Sequence, residues 1–117
     1  MKKLKESIDA LEYALSFLDK AKKDDFYFSG IAKKFETCFE YTWKYFKQKA
    51  TEEGLDAYSP KEAIKLAGRS GLIENVEKWL DFLEDRNAGV HDYFGLSQDD
   101  YLKTIQEFFK EVKKIQA

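Results

Sequence analysis

Apolar residues recur along this chain at alternating spacings of three and four, the repeat of one helical face. No segment shows the alternation that marks a half-buried strand. Leu4, Ile8, Leu11, Leu15 and Leu18 predict an amphipathic helix over about residues 3–22, broken by Asp24-Asp25. Ile31, Phe35, Cys38, Phe39, Thr42 and Phe46 share a face of a longer helix from about 28 to 53, which Gly54 ends. Ser59-Pro60-Lys61-Glu62 combines an N-cap serine, a first-position proline and a capping-box glutamate, so a third helix starts there. It is short, because Gly68 and Gly71 bracket its end. A fourth helix begins near Ile73 and turns Val76, Trp79, Leu80 and Leu83 inward. The fifth starts at Ser97, with Asp99 and Asp100 favouring the positive helix end. Leu102, Ile105, Phe108 or Phe109, Val112 and Ile115 form its buried stripe.

Four long helices and one short one, joined by short connections, predict an all-α fold: an up-and-down four-helix bundle with one additional short helix. A length of 117 residues suits one domain, 1–117, with one core. Aromatic residues make up 16% of the chain, so either the core is wide or some rings face a partner.

Composition narrows the chemistry. A net charge of −2 exerts no general pull on nucleic acid or membrane, so any RNA or nucleotide binding must come from a local cluster. The run Lys44, Lys47 and Lys49 reads as a solvated face before it reads as an RNA track. Cys38 is the only cysteine and His91 the only histidine, so no disulfide and no Cys/His zinc site can be assembled and no metal is expected. No glycine-rich phosphate loop is present, and no cofactor is expected. No signal-peptide core follows the basic N-terminus and no stretch is long enough to span a membrane, which makes the cytoplasm the expected location.

The segment Arg86-Asn87-Ala88-Gly89-Val90-His91-Asp92-Tyr93 concentrates the chemistry that is left. Arg86 is one of two arginines in a chain that otherwise uses lysine. A guanidinium grips phosphate with two parallel donors, and an imidazole moves protons near neutral pH. Continuing the fourth-helix stripe past Leu83 brings Arg86, Asn87 and Val90 to the rim of the core, with Glu84, Asp85 and Asp92 as nearby partners. In an unbroken helix Arg86 and His91 lie about 140° apart after one full turn and do not face one point. A turn at Gly89 would bring them together, and so would a homodimer in which they converge across a twofold axis. Against these stand plainer readings: a helix-end ion pair for Arg86, a capping or rim residue for His91, and a buried, hydrogen-bonded Tyr93.

Several segments resemble the HEPN superfamily, and within it the nucleotidyltransferase substrate-binding proteins. Phe39-Glu40-Tyr41-Thr42-Trp43-Lys44 is similar to the family's second-helix pattern, and Ser59-Pro60-Lys61-Glu62 to its Ser-Pro-Arg-Glu helix start. Trp79 through Asn87, followed by His91-Asp92-Tyr93, matches an Arg-x4-His-x-Tyr motif. Lys61 departs from the usual Arg, and Ala88-Gly89 from the hydroxyl-bearing pair common before the His.

The resemblance implies a homodimer that works with a minimal nucleotidyltransferase subunit. Many members look like toxins of toxin–antitoxin pairs that cleave RNA without metal, and some pairs silence the toxin by adding AMP to the motif Tyr. Carried over, Arg86, Asn87 and His91 are catalytic, Tyr93 is the modified residue, and Arg86, Asp92 and Tyr93 bind substrate. The alternative is a non-catalytic subunit that holds a nucleotide or substrate for the nucleotidyltransferase.

Overall fold

A computed structural model describes residues 1–90 and 97–115, the side chain of Val90 excepted. Its helices are α1 (Lys2–Leu15), α2 (Leu18–Ala21), α3 (Asp25–Glu52), α4 (Pro60–Ser70), α5 (Val76–Val90) and α6 (Gln98–Lys113). Among the described residues there is no strand. The expected all-α bundle is what forms.

Caps set most boundaries. Asp24 accepts the Phe26 N–H at 2.9 Å, so the acidic pair expected only to break the first helix in fact starts α3, a turn earlier than the apolar stripe suggests. Ser59 accepts the Glu62 N–H at 3.2 Å and opens α4 as expected. The Glu62 carboxylate reaches back to the N–H of Tyr58, one residue before the cap. Asn75 caps Lys78 at 3.1 Å and delays α5 to Val76, although Ile73 is already buried. Ser97 caps α6 as expected.

The first helix is not continuous to residue 22. The Ser16 hydroxyl and its N–H both bond the Tyr13 carbonyl, at 2.6 and 3.1 Å, tightening the last turn of α1. Phe17 leaves the helical region there, with φ −102° and ψ 20°, and α2 resumes as one turn.

Side-chain pairs give the directions. Phe17 stacks on Tyr27 at one end of α1 and α3, so this hairpin is antiparallel. Phe46 meets Trp79, and Glu40 meets Arg86, which makes α3 and α5 antiparallel. Lys78 pairs with Glu107 and Glu111 while Asp85 accepts from Thr104, so α5 and α6 are antiparallel too. The long helices α1, α3, α5 and α6 thus run up, down, up, down. The short α4 packs against both α3 and α5, as α6 does, and α3 meets α5 through long side chains, Phe46 with Trp79 and Glu40 with Arg86.

Phe108 is the hub of the core. Phe35, Phe39, Trp79 and Phe82 surround its ring at centroid distances of 5.1 to 5.8 Å, mostly edge to face. It is fully buried and Phe109 is only half-buried, which decides between the two. Phe82, absent from the expected stripe, is buried as well. The aromatic excess therefore fills a wide core, while Tyr13, Phe26 and Tyr58 stay exposed. Among the described residues no helix is long and apolar enough to cross a membrane.

Candidate functional site around Arg86

Arg86 and Asn87 lie in the last turns of α5; His91, Asp92 and Tyr93 lie outside the described residues. The helix runs unbroken through Gly89 to Val90, so of the two ways in which Arg86 and His91 could converge, a turn at Gly89 is not the one taken. Its role is close packing. A Cβ at Gly89 would collide with the Tyr101 ring of α6, and only glycine lets that helix pass. Asn87, expected at the rim of the core, is exposed, because the inward face of α5 there is taken by Phe82 and Arg86.

Arg86 is three-quarters covered, with 26% of its side chain exposed, and its partner is not one of its neighbours in sequence. Asp85 instead accepts the hydroxyl hydrogen of Thr104 on α6, and Glu84 is exposed. The Arg86 Nη2 lies 3.5 Å from the Glu40 Oε2 on α3. The same carboxylate accepts the indole N–H of Trp43 at 3.0 Å and pairs with Lys44 at 3.5 Å. Residues 40, 43 and 44 share one helical face, so Glu40 is held by two groups of its own helix while it receives Arg86 from another. Arg86 Nε is buried and has no acceptor among the described residues. A buried N–H left in that state costs about 1–3 kcal/mol, which an incoming acceptor would recover.

Between α3 and α5 a polar cleft of about 230 Å³ opens at Arg86. Lys33, Glu36, Thr37, Glu40, Tyr41 and Lys44 line it from α3, and Arg86 closes it from α5. Lys44 therefore faces a site, whereas Lys49, from the same run, pairs with Glu52 and lies over the Tyr45 ring. Glu40 was not among the expected site residues. Its i, i+3, i+4 relation to Trp43 and Lys44 is visible in sequence, but its pairing with Arg86 is not.

Other features offer less chemistry. A larger groove of about 420 Å³ between α1 and α3 is walled by Tyr13, Ala14, Phe17, Tyr27 and Ile31 and is almost wholly apolar. Cys38 is buried, and burial pushes its thiol up to about 11 despite the polar Ser7 and Thr42 side chains beside it. It is a small core residue, as its apolar neighbours suggested, and far from a reactive thiolate at neutral pH. Among the described residues no group of three His, Cys, Asp or Glu is arranged to hold a metal ion.

Residues 1–117 match the family described as nucleotidyltransferase substrate binding protein like. The chain belongs to that family. It is also 30% identical over 70 residues to a probable ribonuclease HepT of Haemophilus influenzae, a match covering 56% of this chain and 48% of that protein. The chain thus spans about half the length of this curated relative. The resemblance to the nucleotidyltransferase substrate-binding branch of the HEPN superfamily is upheld by the family match.

Proposed function

We propose that this protein is the HEPN-type partner of a minimal nucleotidyltransferase and acts on RNA as a metal-independent endoribonuclease. The observation that carries the reading is Arg86: a guanidinium mostly withdrawn from water, braced by Glu40, at the mouth of a polar cleft. The name of the Haemophilus relative, a probable ribonuclease, points the same way.

In this mechanism His91 takes the proton from a ribose 2′-OH. The 2′-oxygen bonds to the adjacent phosphorus as the bond from phosphorus to the 5′-oxygen breaks, leaving a 2′,3′-cyclic phosphate. Arg86 neutralises the charge that develops on the non-bridging oxygens, a role that suits a planar fork better than a lysine. Asn87, at the exposed edge of the same turn, orients the substrate. A second copy of the chain in a homodimer supplies the acid that protonates the departing 5′-oxygen. Asp92 and Tyr93 complete substrate binding, and AMP added to Tyr93 by the nucleotidyltransferase places a bulky anion where RNA phosphate would sit. Together the two subunits form a toxin and its antitoxin.

The test is RNA cleavage and growth inhibition by wild type, Arg86→Ala and His91→Ala, with and without the cognate nucleotidyltransferase. Loss of both effects in both variants supports the reading, as does added AMP mass that Tyr93→Phe abolishes. Cleavage that persists in the variants overturns it. The family's description as substrate-binding favours a second reading, in which the cleft holds a nucleotide or substrate for the nucleotidyltransferase and performs no chemistry. Nucleotide binding by pure protein that never cuts RNA would decide for it.

A further inference from the structure

We infer that the cleft between α3 and α5 is an extended phosphodiester-binding track, in which Lys33 and Lys44 grip the strand on either side of the phosphate held by Arg86. This rests on the reading of Arg86 as a phosphate ligand and names the residues that would hold the rest of the strand.

Five observations carry it. Lys33, Thr37, Tyr41 and Lys44 repeat at spacings of four and three along α3, so one face of that helix presents cation, hydroxyl, ring and cation in a row. The helix rises about 16 Å between Lys33 and Lys44, longer than one phosphate group and suited to a run of a polyanion. Among the described residues no carboxylate lies within ion-pair distance of Lys33, so its charge is available to a ligand. The charge of Glu40 is already met by Arg86, Lys44 and the Trp43 indole, which leaves Glu36 as the carboxylate that opposes an anion. Tyr41, half-buried on the same wall, offers a ring against which a base can stack.

The experiment measures binding of an oligoribonucleotide in which every ribose is 2′-O-methylated. Such a strand lacks the attacking hydroxyl, so its binding is read whether or not the protein is a nuclease. Wild type is compared with Lys33→Ala/Lys44→Ala, Lys33→Arg/Lys44→Arg and Glu36→Gln over a series of salt concentrations, with thermal melts to establish that each variant is folded. Two lost phosphate contacts on a single strand should lower the slope of log K against log salt by about 1.4, which is roughly tenfold or more in affinity at 0.1 M salt. The double-arginine variant should keep both affinity and slope, and Glu36→Gln should bind a few-fold tighter. A folded double-alanine variant with unchanged affinity and slope overturns the inference. ATP is the second ligand: lysine-dependent ATP binding with no tighter binding of the oligonucleotide overturns the polynucleotide track and leaves a mononucleotide site. If ordinary RNA is never cut while the methylated strand binds through the two lysines, the ribonuclease reading fails and the track stands.

Discussion

The Arg86 guanidinium is held 3.5 Å from the carboxylate of Glu40, a residue of another helix, in preference to the acids beside it in sequence. Glu40 is in turn fixed by the Trp43 indole and by Lys44. The pair is still reached by solvent, with 26% and 38% of the two side chains exposed, so its contribution to stability is small, roughly 0–1 kcal/mol. Its consequence is orientation: it constrains one end of a fork whose Nε is buried.

Replacing Glu40 by Gln should therefore separate function from stability. A guanidinium that wanders by an ångström costs up to about 100-fold in rate, while the melting temperature should move little. Single-turnover RNA cleavage and a thermal melt on the same sample check this. Unchanged cleavage would remove Glu40 from any positioning role.

Gly89→Ala sets helix propensity against packing. Alanine is favoured by about 1 kcal/mol in a helix interior, but its methyl group would enter the Tyr101 ring. Overpacking costs about 1–3 kcal/mol, and Tyr101 is fully buried with little room to retreat. The expected outcome is a melting temperature several degrees lower. A higher one would show that α6 yields easily and that the glycine has no packing role.

Phe108→Ala removes the ring on which four other aromatic side chains converge. A loss of about 3–5 kcal/mol is expected, a large share of the 5–15 kcal/mol typical of a domain. Phe109→Ala, at a half-buried position, should cost clearly less. Urea unfolding of both variants measures the difference, and equal losses would contradict the assignment of the hub.

Cys38 gives a pH dependence with a definite sign. Burial raises its thiol from 9.0 to about 11 in the folded chain, so between those values the unfolded chain gives up a proton that the folded chain keeps. Stability due to this group is intact below pH 9 and falls as pH rises toward 11, by roughly 2–3 kcal/mol in all. Lysines titrate in the same range, so the readout is the difference in alkaline slope between wild type and Cys38→Ala. Identical slopes would mean that the thiol is not held protonated.

The helices, their faces and most of their caps were legible because they rest on local physics. Helical spacing of apolar residues puts Leu4, Ile8 and Leu11 on one side whatever lies opposite, and Ser59 or Ser97 caps a helix through bonds that close within three residues. The same local reasoning singled out the segment from Arg86 to Tyr93, since unusual residue types stand out in any chain; its reading as a motif came from the family resemblance. It failed where a local signal had two outcomes. Asp24-Asp25 stops one helix and starts the next, and Gly89 can turn a chain or let another helix approach; the neighbouring Tyr101 decides for the second.

What only the tertiary structure decided is which distant groups meet. Sequence placed Arg86 among nearby acids, but Asp85 is drawn to Thr104 on α6, and the antiparallel run of α3 against α5 brings Glu40 to Arg86. The cleft is tertiary in the same way: it opens where α3 and α5 face each other and is lined by polar residues that look, in one dimension, like an ordinary solvated helix face. Periodicity reports which side of a helix is buried. The partner across the interface depends on the direction, offset and spacing of two helices, which are fixed by packing the whole core at once.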